Sequence, residues 1–466
     1  MIITNYIKRQ LMTPGGYLEF LKIAIPLVIS TGIGAIQLFI NRTFLSWYST
    51  TSFAASVPAG ISCFAIFSLF LGTLAYVDVF VAQYYGKGEY RSIGPAVWQS
   101  VYLAFGAALI MLFISFFSDA IFNAAAHGKE IAIEEAKFFR IMCYGALPAL
   151  SGAALSGFYA GRGKTKVVLF VSMIGVFANI ILDFILIFGK FGFPELGISG
   201  AALASNLSFL ITLIIYIILI ISKKNNNLYN TRCVKVDFSF MKKLLKFGFP
   251  NGVQFFFDMA GFGIFVLIIG RLGIEALSAS NIALNVNHLV FMPLIGCGIA
   301  TSVMVGKYLG QNKYSLAKAS VRSASQIIYF YAFCVILTLI VFPEYTIYPF
   351  SGGAESAIIE NIKPTVIILL RILAAYFFFD CANIIFSAAI KGAGDTVFVM
   401  KTMIIASITL VIIPTYLVVI VFNLGLYTAW YFMVIYIMVL GCCFYIRYKS
   451  NKWKSMRVIK MDVIDG

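Results

Sequence analysis

Long apolar runs broken by short polar turns recur along the whole chain, at roughly 20–46, 52–84, 94–118, 137–159, 167–189, 198–221, 242–271, 277–308, 318–342, 365–389, 398–422 and 426–448. Each run covers the roughly 20 residues a helix needs to cross a hydrocarbon core. The runs are far longer than the roughly 9–11 residues of a barrel strand and lack its period-two alternation. The pattern predicts an all-α, polytopic membrane protein with twelve transmembrane helices. Composition agrees: 61% of residues are hydrophobic and 12% charged, where a soluble domain would be about half apolar and a quarter charged. The start, "MIITNYIKRQ", has Lys8 and Arg9 but no short apolar core with a small-residue cleavage site. The first span is therefore expected to stay as an anchor.

A formal net charge of +16 would suit nucleic acid if the charges were clustered without regard to topology. They sort by side instead. The termini and the loops after even-numbered spans hold 27 of the 35 Lys and Arg; the remaining eight are Arg42, Lys129, Lys137, Arg140, Lys190, Arg271, Lys363 and Arg371. This asymmetry predicts both termini in the cytoplasm and no nucleic-acid partner; the lipid bilayer is the partner the basic loops face. The eight cysteines form no CxxC pair, and most, such as Cys63, Cys143 and Cys297, lie in apolar runs as small hydrophobes.

The chain is also duplicated. "FLKIAIP" (20–26) aligns with "LLKFGFP" (244–250), and "VAQYYGKGEY" (81–90) with "VGKYLGQNKY" (305–314), both at an offset of 224. Two six-span copies with an even number of crossings run the same way through the membrane, a parallel repeat in which transporters place substrate between rocking halves. The expected division is an N-terminal lobe at 1–221, a basic cytoplasmic linker at 222–241, a C-terminal lobe at 242–448 and a cytoplasmic tail at 449–466.

Polar residues inside the spans fall on helical faces. In the seventh span Asn251, Gln254 and Asp258 stand at i, i+3 and i+7; in the tenth Tyr376, Asp380, Asn383 and Ser387 stand at i, i+4, i+7 and i+11; the eighth adds Asn281, Asn285 and His288. An ionised aspartate at the bilayer centre costs about 2.5–3.5 kcal/mol on insertion scales. Two of them, in "FFFDMA" (255–260) and "FFFDCA" (377–382), point to an aqueous cavity, a bound cation or each other. Such a pair suits a proton or a shared monovalent cation. Helix-to-helix bonding, or pairing with a basic residue, is the alternative for the acids, and the amides also commonly bond helix to helix. Aromatic rings beside the acids, Phe255 among them, could face an organic cation. In the first copy, Ser30, Gly34, Gln37 and Asn41 share one face of the first span, and Asn179 and Asp183 one face of the fifth. Pro26 and Pro250 hold matching positions in the first and seventh spans, where a missing N–H permits either a bend during transport or a static kink.

"GFPNGVQFFFDMAGF", "SNIALNVNHLVFMPLIGCGIATSVMVGKYLGQ", "AAYFFFDCAN", "KGAGDT", "NIILDFILIFG" and "LGISGAALAS", in this order and spacing, resemble the multidrug and toxic compound extrusion (MATE) family, norfloxacin-exporter-like members in particular. The resemblance runs over nearly the whole chain. It implies a twelve-helix antiporter in a bacterial inner membrane, expelling organic cations in exchange for Na+ or H+, with no cofactor and as a monomer. The family's second-half cation site falls on Asp258, Asp380 and Tyr376, where Na+ would sit between the acids; Asn251, Gln254, Asn281, Asn285, Asn383 and Phe255 would line the substrate cavity. Its first-half site falls on Gln37, Asn41, Asn179, Asp183 and the hydroxyl of Ser205. Two departures stand out: Asp258 replaces a common glutamate, and Asn41 a common aspartate.

Enzymatic signatures are missing. There are two histidines, and no Walker loop, HExxH or nucleophile elbow. A lipid-linked precursor flippase of the same superfamily is the second reading; it requires a basic cavity for pyrophosphate, and intramembrane Arg and Lys are scarce here.

Overall fold

The computed structural model describes residues 11, 13–124, 128–350 and 356–460. The expectations for Lys8, Arg9 and the last residues of the tail lie outside this range. Among the described residues eleven helices are long and apolar enough to span a membrane, twelve when one bent pair is counted as a span. The spans are labelled α1 to α12: Tyr17–Tyr48, Thr50–Lys87, Tyr90–Ser115, the bent pair Lys129–Tyr144 and Ala146–Ala160, Thr165–Phe188, Gly197–Ile220, Phe238–Leu272, Ile274–Gly310, Tyr314–Val341, Asn361–Ala393, Thr396–Val421 and Leu426–Lys449. No strand occurs among the described residues.

Two spans are less regular than their hydropathy suggests. α4 bends by 48° at Gly145. Asn206 of α6 fills the space a side chain at Gly145 would need, and its Nδ2 donates to the Ile141 carbonyl at 2.5 Å. An inserted side chain that captures a backbone carbonyl is a recognised cause of a sharp kink. The first limb of α4, which carries Glu130, Glu134, Glu135 and Lys137, begins eight residues before the apolar run in the sequence. In α11 the helix widens to π turns at Ser407–Ile412 and Leu417–Val421, either side of Pro414. Proline has no N–H to give to the preceding turn, and wider turns absorb that gap.

The chain forms two compact units. One comprises Phe257–Leu309 and Lys313–Arg457 with the start of the chain up to Val28; the other comprises Ile29–Phe256 with Gly310–Asn312 and the end of the chain from Val458. The boundaries therefore fall inside α1 and α7, and the segment 222–237 belongs wholly to the second of these units.

Within the first unit the opening turn of α1 is held by Glu19. Its carboxylate accepts from Lys307 Nζ at 2.8 Å, Tyr308 Oη at 2.5 Å and the Gly15 N–H at 2.8 Å. Gly15 turns there at φ +77° with its carbonyl accepting from Ser323 Oγ at 2.9 Å. Within the other unit, the start of α7 lies against α2 backbone to backbone. Gly248 and Gly252, spaced as GxxxG, face the carbonyls of Thr73 and Leu69, and Asn251 Nδ2 donates to the Gly72 carbonyl at 2.7 Å. Small residues at this spacing let helices meet closely where no hydrophobic drive separates protein from lipid. Pro26 and Pro250 are buried, and helix continues through both.

Candidate functional site

In the unit built on the first half, the face of α1 that carries Gln37 and Asn41 meets the face of α5 that carries Asn179 and Asp183. With its amide turned so that nitrogen faces the acceptors, Asn41 donates to Asp183 Oδ2, to the Gln37 carbonyl at 3.0 Å and to Asn179 Oδ1 at 2.9 Å. Asn179 Oδ1 also lies 3.0 Å from Gln37 Nε2 and so accepts twice. Asp183 and Asn179 are fully buried. Asp183 Oδ1 has no hydrogen-bond partner, leaving half of this carboxylate available to a proton or a cation. Ser205 comes close through its backbone, with its N 3.3 Å from the Asn179 amide, while its hydroxyl turns back to the Ala201 carbonyl at 3.1 Å.

In the other unit the tenth-span stripe is buried: Tyr376 is fully covered, and Asp380 and Asn383 are exposed by only 5% and 8%. Asn383 Nδ2 donates to Asp380 Oδ1 at 3.3 Å, whereas Tyr376 Oη has no hydrogen-bond partner. Asp258 is half-buried on α7 and lies in the same compact unit as Asp380 and Tyr376. α12 supports this stretch of α10 closely: a side chain at Gly441 would begin 2.7 Å from the Phe379 carbonyl, next to Asp380.

The MatE family profile matches residues 26–185 and 250–417. The chain belongs to the MatE family. Members of this family are membrane transporters, not enzymes, and the protein is a multi-pass membrane transporter. It is similar to a probable multidrug resistance protein NorM of Thermotoga maritima, 26% identical over 462 residues that make up 98% of this chain and 97% of that one. The multidrug resistance protein MdtK of Proteus mirabilis is 27% identical over 328 residues, 70% of each chain. Among solved structures, an outward-facing multidrug resistance MATE family transporter of the MOP superfamily gives a TM-score of 0.83 at 19% identity, covering 93% of this chain and 96% of that one. A MOP superfamily transporter from Pyrococcus furiosus gives 0.84 at 18% identity, covering 96% and 98%. At these identities the structures establish the MATE fold alone.

The remaining residues named from the MATE resemblance fall in different places. Asn251 and Gln254 lie on the part of α7 that packs with the first-half unit, Asn251 bonding to Gly72. Phe255 packs edge-on to Phe64, centroids 6.0 Å apart. Asp258, a turn later, lies past the unit boundary with Asp380. Asn281 and Asn285 are exposed on α8, Asn285 Nδ2 donating to the Asn281 carbonyl at 2.8 Å, while the buried amide of this helix is Asn287, whose Oδ1 has no hydrogen-bond partner.

Three groups beside the MATE acid pair escape a reading by stripes. Lys391 interacts electrostatically with Asp258; it stands eleven residues after Asp380, the next step of the same i, i+7, i+11 face, so one more helical turn would have found it. Tyr436 of α12 interacts with both acids. Its hydroxyl contacts Ser407 Oγ at 3.2 Å and Met403 Sδ at 2.9 Å. Ser407 opens the π turn of α11, and isolated polar residues of this kind give no periodic signal.

Proposed function

We propose that this MATE transporter is a secondary antiporter that exports organic cations or drugs in exchange for Na+ or H+, by alternating access of its two halves. It acts as a monomer in the bacterial inner membrane with both termini in the cytoplasm. The observation that carries the reading is the polar face of α10, where Asp380 and the unpartnered hydroxyl of Tyr376 are buried in an aromatic-rich stretch of the second half, in the same compact unit as the half-buried Asp258 of α7. Two carboxylates in low dielectric repel strongly while both are charged. A proton or a Na+ shared between them relieves that repulsion, and opening to water on the other side releases it.

Tyr376, one turn before Asp380, contributes its unpartnered hydroxyl to the same ion. Asn383 holds Asp380 Oδ1 in place. The Asp183 cluster serves as a second, weaker ion site, with Asn41 supplying a neutral donor where a second carboxylate would add charge. Pro26 and Pro250, inside the continuous helices α1 and α7 and near the unit boundaries, each leave out one backbone N–H and so serve as the points where these helices bend during alternating access. The printed names of the NorM and MdtK relatives support drugs as cargo.

The test is export of a fluorescent organic cation by proteoliposomes under an imposed ion gradient. Asp258→Asn and Asp380→Asn are each expected to abolish gradient-driven export while the purified protein stays monodisperse. Unchanged export by both variants would remove the acids from coupling.

A further inference from the structure

The segment between α6 and α7 is built, not slack. Ser222 comes two residues after the last residue of α6, and Asp237 immediately precedes α7; connectivity alone therefore sets 222–237 at the headgroup level of the bilayer. α3 ties its backbone down: Trp98 Nε1 donates to the Thr231 carbonyl at 2.7 Å, Gln99 Nε2 to the Lys235 carbonyl at 2.9 Å, and the Tyr102 hydroxyl to the Val234 carbonyl. Gln99 Oε1 accepts from the Asp237 N–H at 2.9 Å, and the buried Thr231 hydroxyl donates to the Ile220 carbonyl at 2.7 Å. The short helix Lys223–Tyr229 is pinned by Tyr229, whose ring lies 4.3 Å from the buried guanidinium of Arg162 and 5.5 Å from the ring of Phe158. Gly94 meets the same segment so closely that a Cβ there would come within 2.5 Å of the Tyr229 carbonyl.

A backbone fixed this firmly would ordinarily bury its apolar side chains. This one displays them. Leu228, Val234, Val236 and Phe238 are 50%, 52%, 45% and 78% exposed, interleaved with the exposed Lys223, Lys224, Arg232 and Lys235. The one carboxylate between 222 and 238, the exposed Asp237, caps the start of α7, its Oδ1 accepting from the Phe240 N–H at 3.0 Å, so the segment's cations outnumber it four to one. Arg232 is oriented by a 3.1 Å bond from its Nε to the Ile221 carbonyl.

We propose that this shelf docks anionic phospholipid headgroups of the surrounding bilayer, its four cations on the phosphates and its four apolar side chains at the acyl boundary. Charge complementarity and continuity with the lipid-facing ends of α6 and α7 identify the occupant. A basic residue near an anionic surface is worth about fivefold in association. Four of them on a rigid frame give a lasting preference rather than a passing one, independently of what the transporter carries.

The test uses the full chain reconstituted in phosphatidylcholine vesicles containing traces of spin-labelled phosphatidylglycerol or spin-labelled phosphatidylcholine, and reads the motionally restricted fraction of each. The wild type is expected to favour phosphatidylglycerol. Lys223→Gln/Lys224→Gln/Arg232→Gln/Lys235→Gln should reduce that preference by at least about fivefold, the worth of one basic residue. The half-variants Lys223→Gln/Lys224→Gln and Arg232→Gln/Lys235→Gln should each lose part of it, so a misfolded quadruple variant still leaves a decision. Lys129→Gln/Lys137→Gln/Lys190→Gln, on the first limb of α4 and in the loop after α5, away from the shelf, should keep the preference. A preference that survives in both half-variants, vanishes equally in the outside control, or is displaced by inorganic phosphate would overturn the assignment.

Discussion

Gly72→Ala tests the contact between α2 and the start of α7. A Cβ on Gly72 would sit 2.9 Å from Gly252 Cα, 3.2 Å from the Asn251 carbonyl and 3.3 Å from Gly252 N, all of them backbone atoms that cannot swing aside. Ordinary carbon contacts need about 3.5–4.0 Å, so the two helices must part by roughly 1 Å there. Forcing a methyl into a filled interface costs about 1–3 kcal/mol. The 2.7 Å bond from Asn251 Nδ2 to the Gly72 carbonyl lengthens with the gap, adding about 1 kcal/mol. Against this, alanine is better than glycine in a helix by about 1 kcal/mol. The net expectation is a loss of about 1–3 kcal/mol. Gly60→Ala, on the same helix with nothing within 4 Å of its Cβ position, isolates the propensity gain and should be neutral or slightly stabilising. Thermal unfolding of the purified protein, followed with a thiol-reactive dye on buried cysteines such as Cys63, Cys143 and Cys297, reads both variants. Gly72→Ala as stable as wild type, or Gly60→Ala equally destabilised, would refute the close-packed interface.

Three further substitutions probe the rest of the frame. Asn206→Ala removes the donor that holds the α4 bend at Ile141 and should lower stability by about 1–3 kcal/mol, since a buried carbonyl loses its partner; an unchanged melting profile contradicts that role. Glu19→Gln replaces an ion pair and a charge-assisted bond with neutral ones, at a cost of about 1 kcal/mol, and should raise the rate of proteolysis near the start of α1; equal protection would show the latch to be idle. Asp183→Asn should weaken ion-driven export only partially, several-fold and not completely, with folding intact; a loss as complete as that of Asp380→Asn would make the first-half site primary.

Much of the fold was legible because hydrocarbon thickness imposes one length on every span, and the apolar runs had to meet it. The breaks were not, because they arise from tertiary contacts: Asn206 acts on Gly145 across sixty residues, and the π turns of α11 answer to Pro414 within a uniformly apolar run. The segment 222–241, read as linker from its polar composition, is ordered because Trp98, Gln99 and Tyr102 of a distant span hold its carbonyls. Helical periodicity put Gln37 with Asn41 and Asn179 with Asp183, the MATE resemblance joined the two faces, which do meet, and periodicity grouped Tyr376, Asp380 and Asn383. It also put Asn251 and Asp258 on one stripe, and they share a face of α7 yet fall in different contact units. A stripe records which way side chains point, but the neighbour each meets changes along a helix longer than one packing partner.

The central claim is that the Asp258 and Asp380 pair couples cargo export to an ion. The most direct measurement is export of a fluorescent organic cation by proteoliposomes under a Na+ gradient alone and a H+ gradient alone, across pH, for the wild type and Asp380→Asn. The account predicts export driven by at least one gradient in the wild type and by neither in Asp380→Asn, with the variant still binding the cargo. Equal gradient-driven export by both proteins would contradict it.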